Sequence, residues 1–207
     1  MRSALYLIIN ILIFVPVLVL SFKTDVKPHK HPIALLAAYL LVSFPFILWD
    51  IWATSQGHWG FNSDYLLGPK LFGIPMEEWL FFITVPFAMI YVWGVVKKFI
   101  NDKPSALAWP FLGLGIVGGL SVWMLFNHWE NGYTRTVALV SLLTVVLLLV
   151  SRITYTARFW TFQVILLALF LIFNTILTSI PIVTYGTDAI IGFKMGTIPI
   201  EDFLFSF

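Results

Sequence analysis

Two short segments set acids directly against aromatic rings: PMEEWLFF at Pro75 to Phe82 and PIEDFLFS at Pro199 to Ser206. Each begins with proline, which costs nothing at the start of a helix because its missing N–H has no partner there. Two consecutive carboxyls follow, Glu77 and Glu78 in one segment and Glu201 and Asp202 in the other. Acids in a first helical turn gain a few tenths to about 1 kcal/mol from the helix dipole, and capping alone would account for one such pair. A second pair in the same setting, again running straight into hydrocarbon where ionisable groups are costly and face an interior, points to chemistry. Helical spacing stacks Glu77 with Phe81 and Glu201 with Phe205, and it sets Glu78 with Phe82 but Asp202 with Ser206.

Asp50 is a fifth candidate carboxyl. It ends an apolar run, and the chain returns within the loop 53–73 to start the helix of Glu77 and Glu78, so the three acids are expected at one membrane depth. Its counterpart in the second half is the neutral Asn174. Carboxyls crowded in low dielectric favour keeping a proton, and a carboxyl that is protonated at neutral pH is what a general acid needs. One reaction that needs such an acid, aromatic faces and the exclusion of water is protonation of an isolated carbon–carbon double bond. The resulting carbocation is attracted to ring faces. Trp49, Trp52, Trp59, Trp79, Phe81 and Phe82 lie close in sequence to the first acids, and Phe203 and Phe205 to the second. Taken singly, each tryptophan also fits the aromatic belt of a membrane protein.

The elements that position these residues must be membrane helices. Of the 207 residues, 60% are hydrophobic and 11% charged, with mean hydropathy +0.95; soluble domains carry about 25% charged residues. Cysteine is absent, which excludes disulfides, thiolate metal sites, iron–sulfur clusters and cysteine nucleophiles. The 12 basic residues are scattered and form no stripe that would follow a nucleic-acid backbone. A bilayer core about 30 Å thick takes about 20 residues per helix. Six runs meet that requirement, near 4–22, 33–52, 74–96, 105–126, 135–150 and 159–182, and a seventh opens at Ile198. Ten residues from Ile198 to Phe207 reach only about half way across, so the chain is expected to continue. Arg2 before the first run imitates a secretory signal, but the run is long and lacks a cleavage site.

Lysine and arginine set the orientation. Arg2, Lys70, Arg135 and Lys194 fall on one side, and Lys23, Lys27, Lys30, Lys97, Lys98, Lys103, Arg152 and Arg158 on the other. The N-terminus is therefore expected outside, with the first, third and fifth connections cytoplasmic in an inner or plasma membrane. Eight of the ten acids lie on or near the outer side.

An offset of 124 residues aligns 50–82 with 174–206 without a gap, and ten of the 33 pairs are identical. Lipid selects composition, yet here Asp64 matches Asp188, Lys70 matches Lys194, Pro75 matches Pro199 and Glu77 matches Glu201. The expected fold is all-α and membrane-integral, with seven spans arranged as two parallel three-helix repeats, 1–98 and 131–207, joined by a linker helix within 99–130. Parallel repeats of this kind put functional sites at their interface.

Other motifs carry less. GLGIVG at Gly113 to Gly118 imitates a dinucleotide fingerprint but lies inside an apolar helix without the strand that fingerprint needs; Gly115 and Gly119 are read as a small-residue packing surface. His29 and His31 with Asp25, and His128 with Glu130, are solvated loop residues before they are metal ligands. Lys194 precedes its helix and is duplicated by Lys70, which argues against a retinal-type Schiff base. Lys70 and Lys194 are read instead as charge partners of Asp64 and Asp188 that order the duplicated loops. Neither a metal nor another cofactor is called for.

The segments GIPMEEWLFF and GTIPIEDFLF, each preceded by D-x-x-x-G-x-K (Asp64, Gly68, Lys70; Asp188, Gly192, Lys194), resemble the membrane-integral lycopene cyclases of bacteria, archaea and fungi. The resemblance covers nearly the whole chain. It implies a flavin-independent enzyme made of two three-helix halves, whose P-x-E-[ED] acids perform acid–base catalysis. It further implies a redox-neutral isomerisation: a carboxylic acid protonates the terminal double bond of lycopene, a six-membered ring closes, and a carboxylate removes a proton to leave a β-ionone end. Asp202 in place of a second glutamate departs from the pattern. On this reading Glu77, Glu78, Glu201 and Asp202 are acid and base groups, Asp50 supports them, and the partners are lycopene or a related carotenoid and membrane lipid, with a homo-oligomer allowed. The alternatives are a parallel-repeat transporter whose carboxylates bind a proton or cation, and a cyclase acting on another isoprenoid.

Overall fold

The computed structural model describes residues 4–103, 108–151 and 153–207. Arg2 and Arg152, two of the charges that set the orientation, and Ser105 at the start of the fourth run lie outside the described residues. Helices α1 (Leu5–Lys23), α2 (Pro32–Ala38) and α3 (Phe44–Ser55) are followed by α4 (Met76–Phe99), α5 (Ala108–Asn127), α6 (Gly132–Ser151), α7 (Ala157–Ser179) and α8 (Ile200–Phe205). A wide π-type turn at Tyr39–Ser43 joins α2 to α3, so 32–55 is one continuous span. Among the described residues six helical stretches are long and apolar enough to cross a membrane, and the protein is a multi-pass helical membrane protein. The run opening at Ile198 forms α8, six residues long.

The helices are apolar outside and polar within. On α1, Tyr6, Ile9, Asn10 and Ile13 are buried while Ile11, Leu12, Val15 and Val19 are exposed. The buried set recurs at helical spacing, one stripe of a cylinder, and it includes a tyrosine and an asparagine. On α6 the stripe is Tyr133, Thr134, Val137, Ala138 and Ser141. Lipid offers no hydrophobic gain for helix association, so polar and small residues collect between helices. Pro45, at the start of α3, has no N–H for the preceding turn, which accounts for the wide turn just before it. One extra residue in a turn rotates the next stretch of helix by about 100°, and on the rotated face Ile47, Asp50 and Ala53 are buried.

The chain divides into two compact units, Met1–Val95 with Pro181–Thr184, and Val96–Ile180 with Tyr185–Phe207. In the first, Asn62 N–H donates to Ile182 O at 2.9 Å and Thr184 Oγ1 to Gly60 O at 3.3 Å, where β1 (Trp59–Phe61) pairs with β4 (Val183–Tyr185). In the second, α5 packs on α6, and α6 also packs on α8.

Each unit carries a small hairpin immediately before its acids. In the first, β2 (Lys70–Leu71) pairs with β3 (Ile74–Pro75); in the second, β5 (Lys194–Met195) pairs with β6 (Ile198–Pro199). The matched prolines thus sit in strands, and Pro199 is the residue just before its helix, one step earlier than the first-turn position expected. The turn residues Phe72 (φ 51°) and Gly73 (φ 88°) match Gly196 (φ 66°) and Thr197. The left-handed conformation at the first turn position is common to both halves even though phenylalanine replaces glycine there, against the usual steric preference.

The glycines of α5 behave otherwise than their spacing implied. A Cβ at Gly115 or Gly119 would meet nothing within 4 Å, whereas at Gly113 it would collide with the Trp160 ring on α7. Gly113→Ala is therefore expected to destabilise by about 1–3 kcal/mol through overpacking, and Gly115→Ala to be neutral or slightly stabilising. Thermal unfolding of the purified protein in detergent reads both; equal midpoints for the two variants would refute the Trp160 contact.

Candidate active site

The acids of both repeats are buried at the start of their helices: Glu77 and Glu201 are 0% exposed, Glu78 8% and Asp202 4%. Within each pair the two neighbours have different tasks. Glu77 Oε1 accepts the Leu67 N–H at 2.6 Å, and Glu201 Oε1 accepts the Ile191 N–H at 2.7 Å, a matched contact at the 124-residue offset. Thr134 Oγ1 adds a second donor to Glu201 at 2.6 Å. The first acid of each pair thus clasps the loop ahead of its own helix. Its other oxygen, Oε2, is buried without a hydrogen-bond partner among the described residues.

The second acid meets a tyrosine. Tyr6 OH on α1 donates to Glu78 Oε2, and Tyr133 OH on α6 donates to Asp202 Oδ1 at 2.6 Å. In each unit that tyrosine stacks on a ring contributed by the loop: Tyr6 on Phe61, centroids 6.4 Å apart at 19°, and Tyr133 on Tyr185, 5.8 Å apart at 22°. Phe61 and Tyr185 are matched positions. The added hydroxyl of Tyr185 reaches Asp202 Oδ2 at 2.6 Å, and Asn174 Nδ2 donates to the same oxygen at 2.8 Å.

Asp50, 2% exposed, takes a bond from Trp59 Nε1 at 2.6 Å and one from Thr54 Oγ1 at 3.3 Å, both on Oδ1. It is an electrostatic neighbour of Glu78 and of Tyr6. Asn10 ties the cluster to two helices: its Nδ2 donates to Glu77 O at 3.1 Å and its Oδ1 accepts from Thr84 Oγ1 at 2.9 Å.

The rings expected around the acids divide. Phe81 lies 6.4 Å from Tyr6 and 6.1 Å from Phe82, and Trp49 packs edge-on to Trp59 at 5.1 Å, so Phe81 and Trp59 adjoin the acid cluster of the first unit and Phe82 and Trp49 pack on them. Trp79 instead turns to the loop, donating to Leu71 O at 3.3 Å and packing on Phe72. Phe203 packs on Phe170, and Phe205 is exposed. Trp52 packs on His58.

The loop-ordering ion pairs require correction. Lys70, Lys194, Asp64 and Asp188 are exposed, and no Asp64–Lys70 or Asp188–Lys194 ion pair forms among the described residues. The hairpins turn the lysines outward, and order comes from the glutamate clasp and from backbone bonds such as Met76 N–H to Pro69 O and Ile200 N–H to Phe193 O, each 3.1 Å. An exposed pair would have contributed at most about 1 kcal/mol. Sequence reasoning missed Tyr6, Tyr133, Asn10 and Thr134. A faint signal existed, because Tyr6 and Tyr133 are 127 residues apart, three more than the offset of the acids.

A multi-pass helical protein with duplicated, hydroxyl-bound carboxyls buried at its helix starts is the class that fold and site define. The lycopene cyclase family model matches residues 3–96 and 111–207, and the chain belongs to that family. A bifunctional lycopene cyclase/phytoene synthase of Neurospora crassa is 27% identical over 95 residues, 41% of this chain and 16% of that relative. The chain thus matches a minor part of the curated relative's length. No solved structure matches.

A hydrogen bond to a charged group is worth about 1.5–3 kcal/mol. Glu77→Ala is accordingly expected to speed hydrogen exchange of the Leu67 amide by about ten- to a hundredfold, and Glu201→Ala to do the same for Ile191. Unchanged protection, followed by mass spectrometry or NMR, would show that the clasp does not hold the loop.

Proposed function

We propose that this protein is a redox-neutral lycopene cyclase that closes the acyclic ends of lycopene into β-ionone rings, an intramolecular acid–base reaction. The observation that carries this reading is the cluster of Asp50, Glu78 and Tyr6 among Phe61, Phe81, Trp49 and Trp59, buried in a chain of the cyclase family. A carboxylic acid adds its proton to the terminal double bond and leaves a tertiary carbocation. The neighbouring double bond attacks, the ring closes, and a carboxylate removes a proton beside the new cation. Ring faces stabilise the positive intermediates, and burial keeps out the water that would trap them.

Glu78 and Asp202 are the groups whose hydroxyl partners hold them in one orientation, and Glu77 and Glu201 complete the acid–base set through the oxygen that no protein group satisfies among the described residues. Two three-helix repeats, 1–98 and 131–207, flank a linker helix, with the N-terminus outside the cell membrane. A carotenoid as long and apolar as lycopene enters such a site from lipid.

Expression in cells that accumulate lycopene, with pigments separated by chromatography, tests the reading. The intact chain is expected to convert lycopene to a cyclic carotene, and the variant carrying Glu77→Gln, Glu78→Gln, Glu201→Gln and Asp202→Asn to leave it unconverted at equal membrane content. Loss of general acid–base groups costs about 10²–10⁴-fold in rate. Lycopene that persists beside well-inserted intact protein would exclude this substrate, and substrate-dependent flux in vesicles would then favour a transporter.

A further inference from the structure

The two copies of the site differ at three matched positions: Asp50 against Asn174, Phe61 against Tyr185, and Glu78 against Asp202. These are the positions that decide where a proton can reside. In the first unit Glu78 receives one hydroxyl, from Tyr6, and its charged neighbour is another carboxyl. Asp50 is donated to only on Oδ1, by Trp59 and Thr54; its Oδ2 is buried and unpartnered among the described residues. Tyr6 and Glu77 act on this pair, buried His58 packs on Trp59, the donor to Asp50, and among the described residues no lysine or arginine forms an ion pair with either carboxyl. Two buried carboxyls that repel one another favour one proton between them over two charges. Such a pair is an acid and a base at once.

The second unit is built the other way. Asp202 accepts three bonds, from Tyr133, Tyr185 and Asn174, and the remaining acid beside it is Glu201. An ionised carboxylate is an acceptor only, and three donors converging on two oxygens favour that form, where Glu78 receives one. Asn174, an amide, stores no proton.

We infer that the proton that starts the reaction is stored in the first unit, held by the pair Asp50 and Glu78 with their fewer donors, and that the second copy holds Asp202, with three donors, as a fixed anion. This rests on the cyclase reading for the identity of the reaction, though not for the location of the proton. The cycle balances within the pair. The Glu78 O–H bond breaks as a C–H bond forms on the terminal alkene carbon, a C–C bond closes the ring, and a ring C–H proton leaves to the pair, which ends with the single proton it began with. No electrons are exchanged with any other reagent.

Infrared difference spectroscopy of the purified full chain in lipid nanodiscs at neutral pH reads the proton directly, through the deuterium-sensitive C=O stretch of a protonated carboxyl. Against the intact chain, Glu78→Gln is expected to remove one such band and Asp202→Asn to remove none. Asn174→Asp rebuilds the carboxyl pair of the first unit in the second and is expected to add a band, a gain that misfolding does not imitate. A band lost in Asp202→Asn, or none gained in Asn174→Asp, overturns the inference. Pigment analysis in lycopene-accumulating cells separates the two readings: intact protein that shows the expected bands but leaves lycopene acyclic retains the proton store and loses the substrate. Intact protein that cyclises lycopene while Glu78→Gln keeps full activity does the reverse.

Discussion

A carboxylate taken out of water loses several kcal/mol of hydration even after the protein relaxes around it, and this chain buries five of them at the starts or ends of membrane helices. The rest of the architecture answers that cost with hydroxyls and amides. Tyr6 and Tyr133 come from helices distant in sequence, the Leu67 and Ile191 amides come from the loops, and Asn174 comes from α7. At Asp50 one oxygen is left without a donor among the described residues. Helix placement and loop order both depend on which carboxyl receives which donor.

Much of this is legible in the residues. Composition and run length give a membrane protein, and P-x-E-[ED] repeated at a fixed offset gives the acids. Loop length suggests Asp50 near them, and Asp50 acts electrostatically on Glu78. The roles within each pair are not legible. Glu77 and Glu78 are adjacent and identical in type, and only the helix phase relative to α1 decides that one faces a loop amide and the other a tyrosine. Tyr6 and Tyr133 escape because the distance between them exceeds the repeat offset by three residues, so they fall outside the ungapped alignment. The hairpins escape because strands of two residues have no alternation to detect, and Phe72 is not a residue that signals a left-handed turn. The Asp–Lys pairs look convincing in sequence because the residues are duplicated, but hairpin geometry sends the lysines to the surface.

Duplication followed by divergence explains the pattern of sameness and difference. The parts that hold the backbone are kept: the glutamate clasp, the hairpin register and the stacked ring pair recur in both units. The parts that set charge have changed, with Asn174 at the position matched to Asp50 and Tyr185 at that matched to Phe61. A scaffold that stays constant while its donors are exchanged can give one copy a proton and the other a settled charge.

The network from Asn10 to α4 also has a place in the order of synthesis. Tyr6 precedes its partner Glu78 by 72 residues, and at 5–20 residues per second the ribosome needs about 4–14 seconds to supply it. Over that interval the Tyr6 hydroxyl and the Asn10 oxygen lack the partners on α4 that they have in the folded chain. Arrival of α4 satisfies both groups and completes the acid cluster in one step.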